Sequence, residues 1–195
     1  GEGGKQEARS KKQEEPRTPN PESRIPVFEP RELAPSAEPA LSDRWLTFVN
    51  VVADKLAITN PGKKIYTLAY HQTFAPPLKT KPRPNVMIQV VNSRPEGVCF
   101  VHVVTTPDCP NNALFCRNFK GWSAITPAGM MAYQYMPHST FCNMPLPTTH
   151  KFFADIRWLV QNNCVGYEGQ SGYKTFGLFG ITLYATAKAM WHPQT

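Results

Sequence analysis

The chain has 195 residues, a formal net charge of +7 and 20 prolines. That length allows one domain plus a tail, and the apolar content is that of a globular protein. Five cysteines, an odd number, and the lack of an Asn-X-Ser/Thr acceptor argue against a secreted disulfide framework and favour a reducing interior, cytosol or organelle.

The charge is divided. Residues 1–41 hold seven Lys/Arg against eight Asp/Glu, while residues 42–195 hold fourteen against six. The tail is therefore no basic nucleic-acid arm. The body carries the excess and favours an anionic neighbour: RNA, DNA, anionic lipid or an acidic protein surface. General solubility is the plain alternative. Gly1, with no initiator Met and no signal peptide, reads as the product of polyprotein or organelle-precursor processing, or as a truncation.

In chain order, 1–41 is a proline-rich, mixed-charge segment that buries too little apolar surface to offset its ordering entropy, and is expected to be extended or disordered. Its one apolar clip is "IPVFEP", whose Ile25, Val27 and Phe28 would dock into a groove of the body or of a partner subunit. Residues 42–195 are expected to form one basic globular domain. "LSDRWLTFVNVVADKLAITNPG" predicts a helix, capped by Ser42, with Trp45, Val49, Val52 and Leu56 on one face and Asn60-Pro61-Gly62 as its stop. A strand competes there.

"KKIYTLAYHQTF" alternates as a strand, and "APPLKTKPRPN" is a basic, proline-rich loop. "VMIQVVN" and "VCFVHVVTT" predict a hairpin through "SRPEG", and "ALFCRNF" a further strand. "TPAGMMAYQYM" offers Thr126 and Pro127 as the start of a short helix. "TTHKFFADIRWLVQNN" reads as an amphipathic helix capped by Thr149, with Phe152, Ile156, Leu159 and Val160 inward; a strand is its alternative. "CVGYEGQSGY" reads as a glycine-rich loop.

The closing "GYKTFGLFGITLYATAKAMWHPQT" admits three readings. Its uncharged run is shorter than the roughly 20 residues of a membrane span. A helix would align Phe176, Phe179, Leu183, Ala187 and Met190, at the expense of two interior glycines. A strand fits the alternation of Ile181, Leu183, Ala185, Ala187, Ala189 and Trp191 against Thr182, Tyr184, Thr186 and Lys188. The strand is the expected form. The whole then predicts a β-rich α+β fold with an antiparallel sheet, or an all-β jelly-roll sandwich if both helices fail. "GITLYATAKAMWHPQ" resembles the last strand of a small viral coat domain; the likeness covers that strand and a Pro-Gln ending, and assigns no family.

No catalytic signature emerges. "EGQSGYKT" puts Tyr173 where a phosphate loop needs glycine. Cys109, Cys116, His138 and Cys142 are zinc-ligand types without a tight cysteine knuckle, and buried inert thiols are the simpler account. Cys164 would need a base such as His71, His102 or His150 to act as a nucleophile. Lys79, Lys81 and Arg83 form a stiff basic finger able to meet phosphates without reading sequence. Lys63 and Lys64 join them only if the intervening strand allows it. Tyr66 and Tyr70 would stack on bases if exposed.

The expected function is thus a non-enzymatic structural subunit of a large assembly near nucleic acid, most sharply a viral coat protein, with no cofactor and no membrane span. Its partners would be other subunits, through the tail, and RNA without sequence specificity. The alternatives are an accessory subunit of a mitochondrial ribosomal or respiratory complex, and a small thiol- or zinc-dependent enzyme.

Overall fold

The structure, a computed structural model, describes residues 39–92, 99, 102–135, 148–170 and 176–194. The chain divides into two units, Gly1–Glu32 and Leu33–Thr195, and every described residue belongs to the second. Ile25, Val27 and Phe28, and likewise His138 and Cys142, lie outside the described residues.

The elements in chain order are α1 (Pro39–Thr59), β1 (Ile65–Ala69), β2 (Val86–Asn92), α2 (Pro110–Ser123), β3 (Met130–Tyr135), α3 (Thr149–Gln161), β4 (Cys164–Gln170) and α4 (Phe176–Trp191), with helices and strands alternating from β2 onward. The four strands form one sheet in the order β1-β2-β3-β4, and all three pairings are parallel. This is an α/β fold. It overturns the expected antiparallel sheet and the jelly-roll alternative. β2 is flanked by β1 and β3, both parallel to it, so the predicted hairpin does not form. His102, expected inside its second strand, lies in an exposed bend.

Right-handed crossovers that always advance in the same direction put every connection on the same face of a sheet. The core fits that winding. Leu46, Val49 and Ala53 of α1, Phe115, Phe119 and Trp122 of α2, and Trp158 and Leu159 of α3 pack against Val86, Ile88 and Val90 of β2 and Met130 and Ala132 of β3. Each large side chain buried there stabilises the fold by about 1.5–3 kcal/mol. The opposite face, carrying Tyr66, Leu68, Gln89, Val91, Tyr133 and Glu168, receives none of these helices.

Helix α1 appears where expected but is rotated. Ser42, Leu46, Val49 and Ala53 are buried, whereas Trp45 and Val52 are 44% and 42% exposed. Ser42 does not cap the helix; its hydroxyl donates to the Ala75 carbonyl from within it. The β1–β2 connection has no α-helix of its own. After a 3-10 turn at His71–Thr73, the chain runs back along α1 as a strap. Asp43 accepts hydrogen bonds from the backbone N–H groups of Leu78, Lys79 and Thr80, Asn50 bonds Lys81 and Arg83, and Asn85 donates to the Ala53 carbonyl. Where strap and α2 cross, a Cβ on Gly121 would stand 2.6 Å from Pro76 Cγ, so only glycine fits.

Three more segments differ from expectation. "ALFCRNF" lies in α2, whose buried side is Asn112, Phe115, Asn118, Phe119 and Trp122. "MMAYQY" is β3 rather than a helix, since Gly129 turns the chain at φ +94° directly before it. "CVGYEGQ" is β4, paired along its length with β3, and α4 replaces the expected closing strand. α4 buries a stripe of small residues, Thr182, Thr186 and Ala189. No helix among the described residues is long and apolar enough to cross a membrane.

Candidate functional site

In parallel sheets, ligands gather at the carboxyl ends of the strands, where the loops leave. There the face turned away from α1, α2 and α3 forms a depression of about 280 Å3, lined by Tyr66, Leu68, Tyr70, Gln89, Val91, Tyr133, Tyr135 and Glu168. The strand period of two places these side chains together: Tyr66 and Leu68 on β1 pair in register with Met87 and Gln89, Val91 with Tyr133, and Tyr133 with Glu168. Gln89 and Val91 form a floor only 1% and 3% exposed, and Tyr66 stands at the rim, 58% exposed.

The polar groups of this face are interlocked. Gln89 Nε2 donates to Glu168 Oε2 at 3.0 Å, and Tyr133 Oη donates to Gln170 Oε1 at 2.5 Å. Tyr133 and Tyr135 meet edge to face with ring centroids 5.4 Å apart, a favoured aromatic geometry. At the end of β1, Tyr70 packs on His71 with centroids 3.8 Å apart. His71 has φ 48°, a left-handed conformation that a non-glycine residue seldom adopts and that recurs at functional sites. Asn163, the other such residue among those described, has an ordinary structural role: it follows the end of α3 and donates to the Thr126 carbonyl.

Among the described residues, the lining carries a carboxylate and no Lys or Arg. The basic residues expected to form a site lie elsewhere. Lys79, Lys81 and Arg83 belong to the strap rather than to a projecting finger, and Arg83 is ion-paired with Asp54 at 2.9 Å. Because β1 and β2 are parallel, Lys63 and Lys64, which precede β1, come beside Pro84 and Asn85, which precede β2. Lys64 Nζ donates to the Ala128 carbonyl. This basic edge is at the amino end of the strands, opposite the tyrosine face.

The cysteines separate. Cys164 donates to the Gly166 carbonyl, and burial pushes its thiol up to about 11; Cys116 donates to the Val104 carbonyl, and burial likewise pushes it up to about 11. Such thiols stay protonated and are poor nucleophiles. Cys109, at the start of α2, is grouped with Cys99 and His102 rather than with Cys116. A larger depression, of about 330 Å3, between α3, β4 and α4 is lined mainly by apolar groups such as Ile156, Leu159, Val165, Met190 and Trp191.

Tyr66, Tyr70 and Glu168 were visible in the sequence as residue types. Nothing there marks Gln89, Tyr133 and Tyr135 as partners, because only the parallel register brings them together.

Residues 28–195 match the family described as Domain of unknown function (DUF4838), and the chain belongs to that family. No curated protein and no solved structure matches the chain.

Proposed function

We propose that this protein is a non-enzymatic binding domain whose ligand is a neutral saccharide held on the tyrosine face. The observation that carries the reading is the combination of four tyrosines around the Gln89–Glu168 pair, with no Lys or Arg among the described lining residues. Tyrosine offers a flat apolar ring with a polar tip. Amide and carboxylate groups fix orientation by directed hydrogen bonds. A sugar ring has the matching surface, an apolar C–H face rimmed by hydroxyls. Phosphate or carboxylate ligands call for cationic partners, and the described residues of this lining include none.

Binding rather than hydrolysis is proposed because glycoside cleavage normally uses two carboxylates flanking the bond. Among the described residues lining the face, Glu168 is the one carboxylate. Titration with neutral oligosaccharides tests the reading: affinity should fall in Tyr133→Ala and in Glu168→Ala.

A second reading keeps the expected assembly subunit near nucleic acid. Its specific support is the basic edge, where the parallel pairing sets Lys63 and Lys64 beside the end of the strap. Its viral-coat version leaned on an antiparallel β body, and that support is withdrawn by the parallel sheet.

A further inference from the structure

We propose that Cys99, His102 and Cys109 form a zinc site with one position left for water. The sulfur of Cys99, a ring nitrogen of His102 and the sulfur of Cys109 all lie within 4.8 Å of one another. Tetrahedral zinc, with Zn–S of about 2.3 Å and Zn–N of about 2.0 Å, sets such donors about 3.5–3.8 Å apart. Each pair of atoms therefore needs to close by no more than about 1.3 Å. Two thiolates and an imidazole are the donor set that selects zinc over the hard, oxygen-seeking cations. Cys99 and His102 have the tight Cys-x2-His spacing of a metal knuckle, and the third ligand arrives where the chain enters α2.

The surroundings hold the ligands in place. Asn112 Nδ2 donates to the Val103 carbonyl at 2.7 Å and reaches the His102 carbonyl at 3.4 Å. Asp155 Oδ1 accepts from the Val104 N–H at 2.7 Å, and the His102 N–H donates to Cys99 Sγ at 3.3 Å. Helices α2 and α3 thus fix the backbone on both sides of Val103, the outer support that metal sites require. Cys109 is buried while His102 is exposed, so the site has an anchored inner side and an open outer one. Three protein ligands with an open fourth position characterise zinc centres that bind water or a ligand. The site also stands in the connection leaving the carboxyl end of β2, where parallel sheets place functional groups.

Binding would release one proton from each thiol to solvent and involves no change of oxidation state. The test uses the full chain, reduced and stripped of metal, titrated with Co2+ and then with Zn2+ against a chromophoric chelator. One equivalent of Co2+ should give thiolate-to-cobalt charge transfer and tetrahedral d–d bands, both bleached by Zn2+. Cys99→Ser and Cys109→Ser should each abolish the charge-transfer band or weaken zinc binding at least tenfold. His102→Ala, an exposed change that spares the core, should weaken binding while leaving the circular dichroism unchanged. Cys164→Ser should bind as the parent does. No uptake by the reduced protein, or uptake undiminished in His102→Ala and both serine variants, would overturn the site. So would a Cys99–Cys109 disulfide whose reduction yields no metal binding.

Discussion

Gln89 Nε2 donates to Glu168 Oε2 over 3.0 Å, although Gln89 is on β2 and Glu168 on β4, with β3 between them. In a flat sheet those strands would be about 9.5 Å apart, two strand spacings. Both side chains lean over the intervening strand on the same face, where they define the floor and one wall of the depression.

That bond orients the carboxylate. Gln89→Leu should leave Glu168 solvated but unaimed. The expected result is a loss of about 1 kcal/mol in urea unfolding and a roughly tenfold drop in saccharide affinity. Calorimetric titration of the variant beside the parent checks both the stoichiometry and the drop.

The buried ion pair within α3 should be costly to break and cheap to replace. Lys151 and Asp155 are 4% and 0% exposed in their side chains, and Asp155 also accepts from Val104 N–H. Burial holds the Asp155 carboxyl above the usual range, against the pull of Lys151. Asp155→Ala strands a buried ammonium and a buried N–H, so a loss of about 3–5 kcal/mol is expected. Lys151→Met with Asp155→Asn keeps an acceptor for Val104 and removes both charges. Chemical denaturation should show the double variant recovering most of the loss.

The strap should respond to acid through Asp43. Hydrogen bonds from the backbone, Thr80 first, then Leu78 and Lys79, lower the Asp43 carboxyl to about 2 from an ordinary value of 3.8. A depressed carboxylate contributes its stability above the unfolded value, and the contribution is lost as pH falls through the folded one. The strap's anchoring should therefore be intact above about pH 4 and weaken toward about pH 2. The amide resonances of Leu78, Lys79 and Thr80 should titrate together near the lower value. A shared midpoint near 3.8 would contradict the bonding pattern.

The second reading has its own test. Lys63→Gln, Lys64→Gln and Lys81→Gln together should weaken RNA binding and reduce the salt slope by about 0.7 for each phosphate no longer neutralised. An unchanged slope would remove the basic edge from consideration.

The helical segments α1 and α3 could be read from their periodicity, and β1 and β2 from alternation and β-branched content. Strand direction could not be read, because parallel and antiparallel strands differ in partner rather than in local pattern. The missing helix between β1 and β2 deepened the error: a proline-rich strap looks like a loop, and nothing in it reveals that α1 supplies the helical cover. α2 was hidden by Asn112 and Asn118 on its buried side, β4 by Gly166 and Gly169, and α4 by the strand-like alternation of its sequence, which splits its buried stripe of Thr182, Thr186 and Ala189 between two faces. Of the candidate sites, the Cys-x2-His spacing was present in the sequence but lay inside a predicted hairpin. The tyrosine face required the register itself.

The most direct test of that face is an NMR titration of ring-labelled tyrosine with a soluble neutral oligosaccharide. The chain has seven tyrosines, which makes assignment by single substitution practical. The account predicts that the ring signals of Tyr66, Tyr70, Tyr133 and Tyr135 shift in step with saccharide concentration while that of Tyr184 on α4 stays still. Stationary signals for those four across a panel of saccharides, or shifts that persist in Glu168→Ala at unchanged affinity, would contradict it.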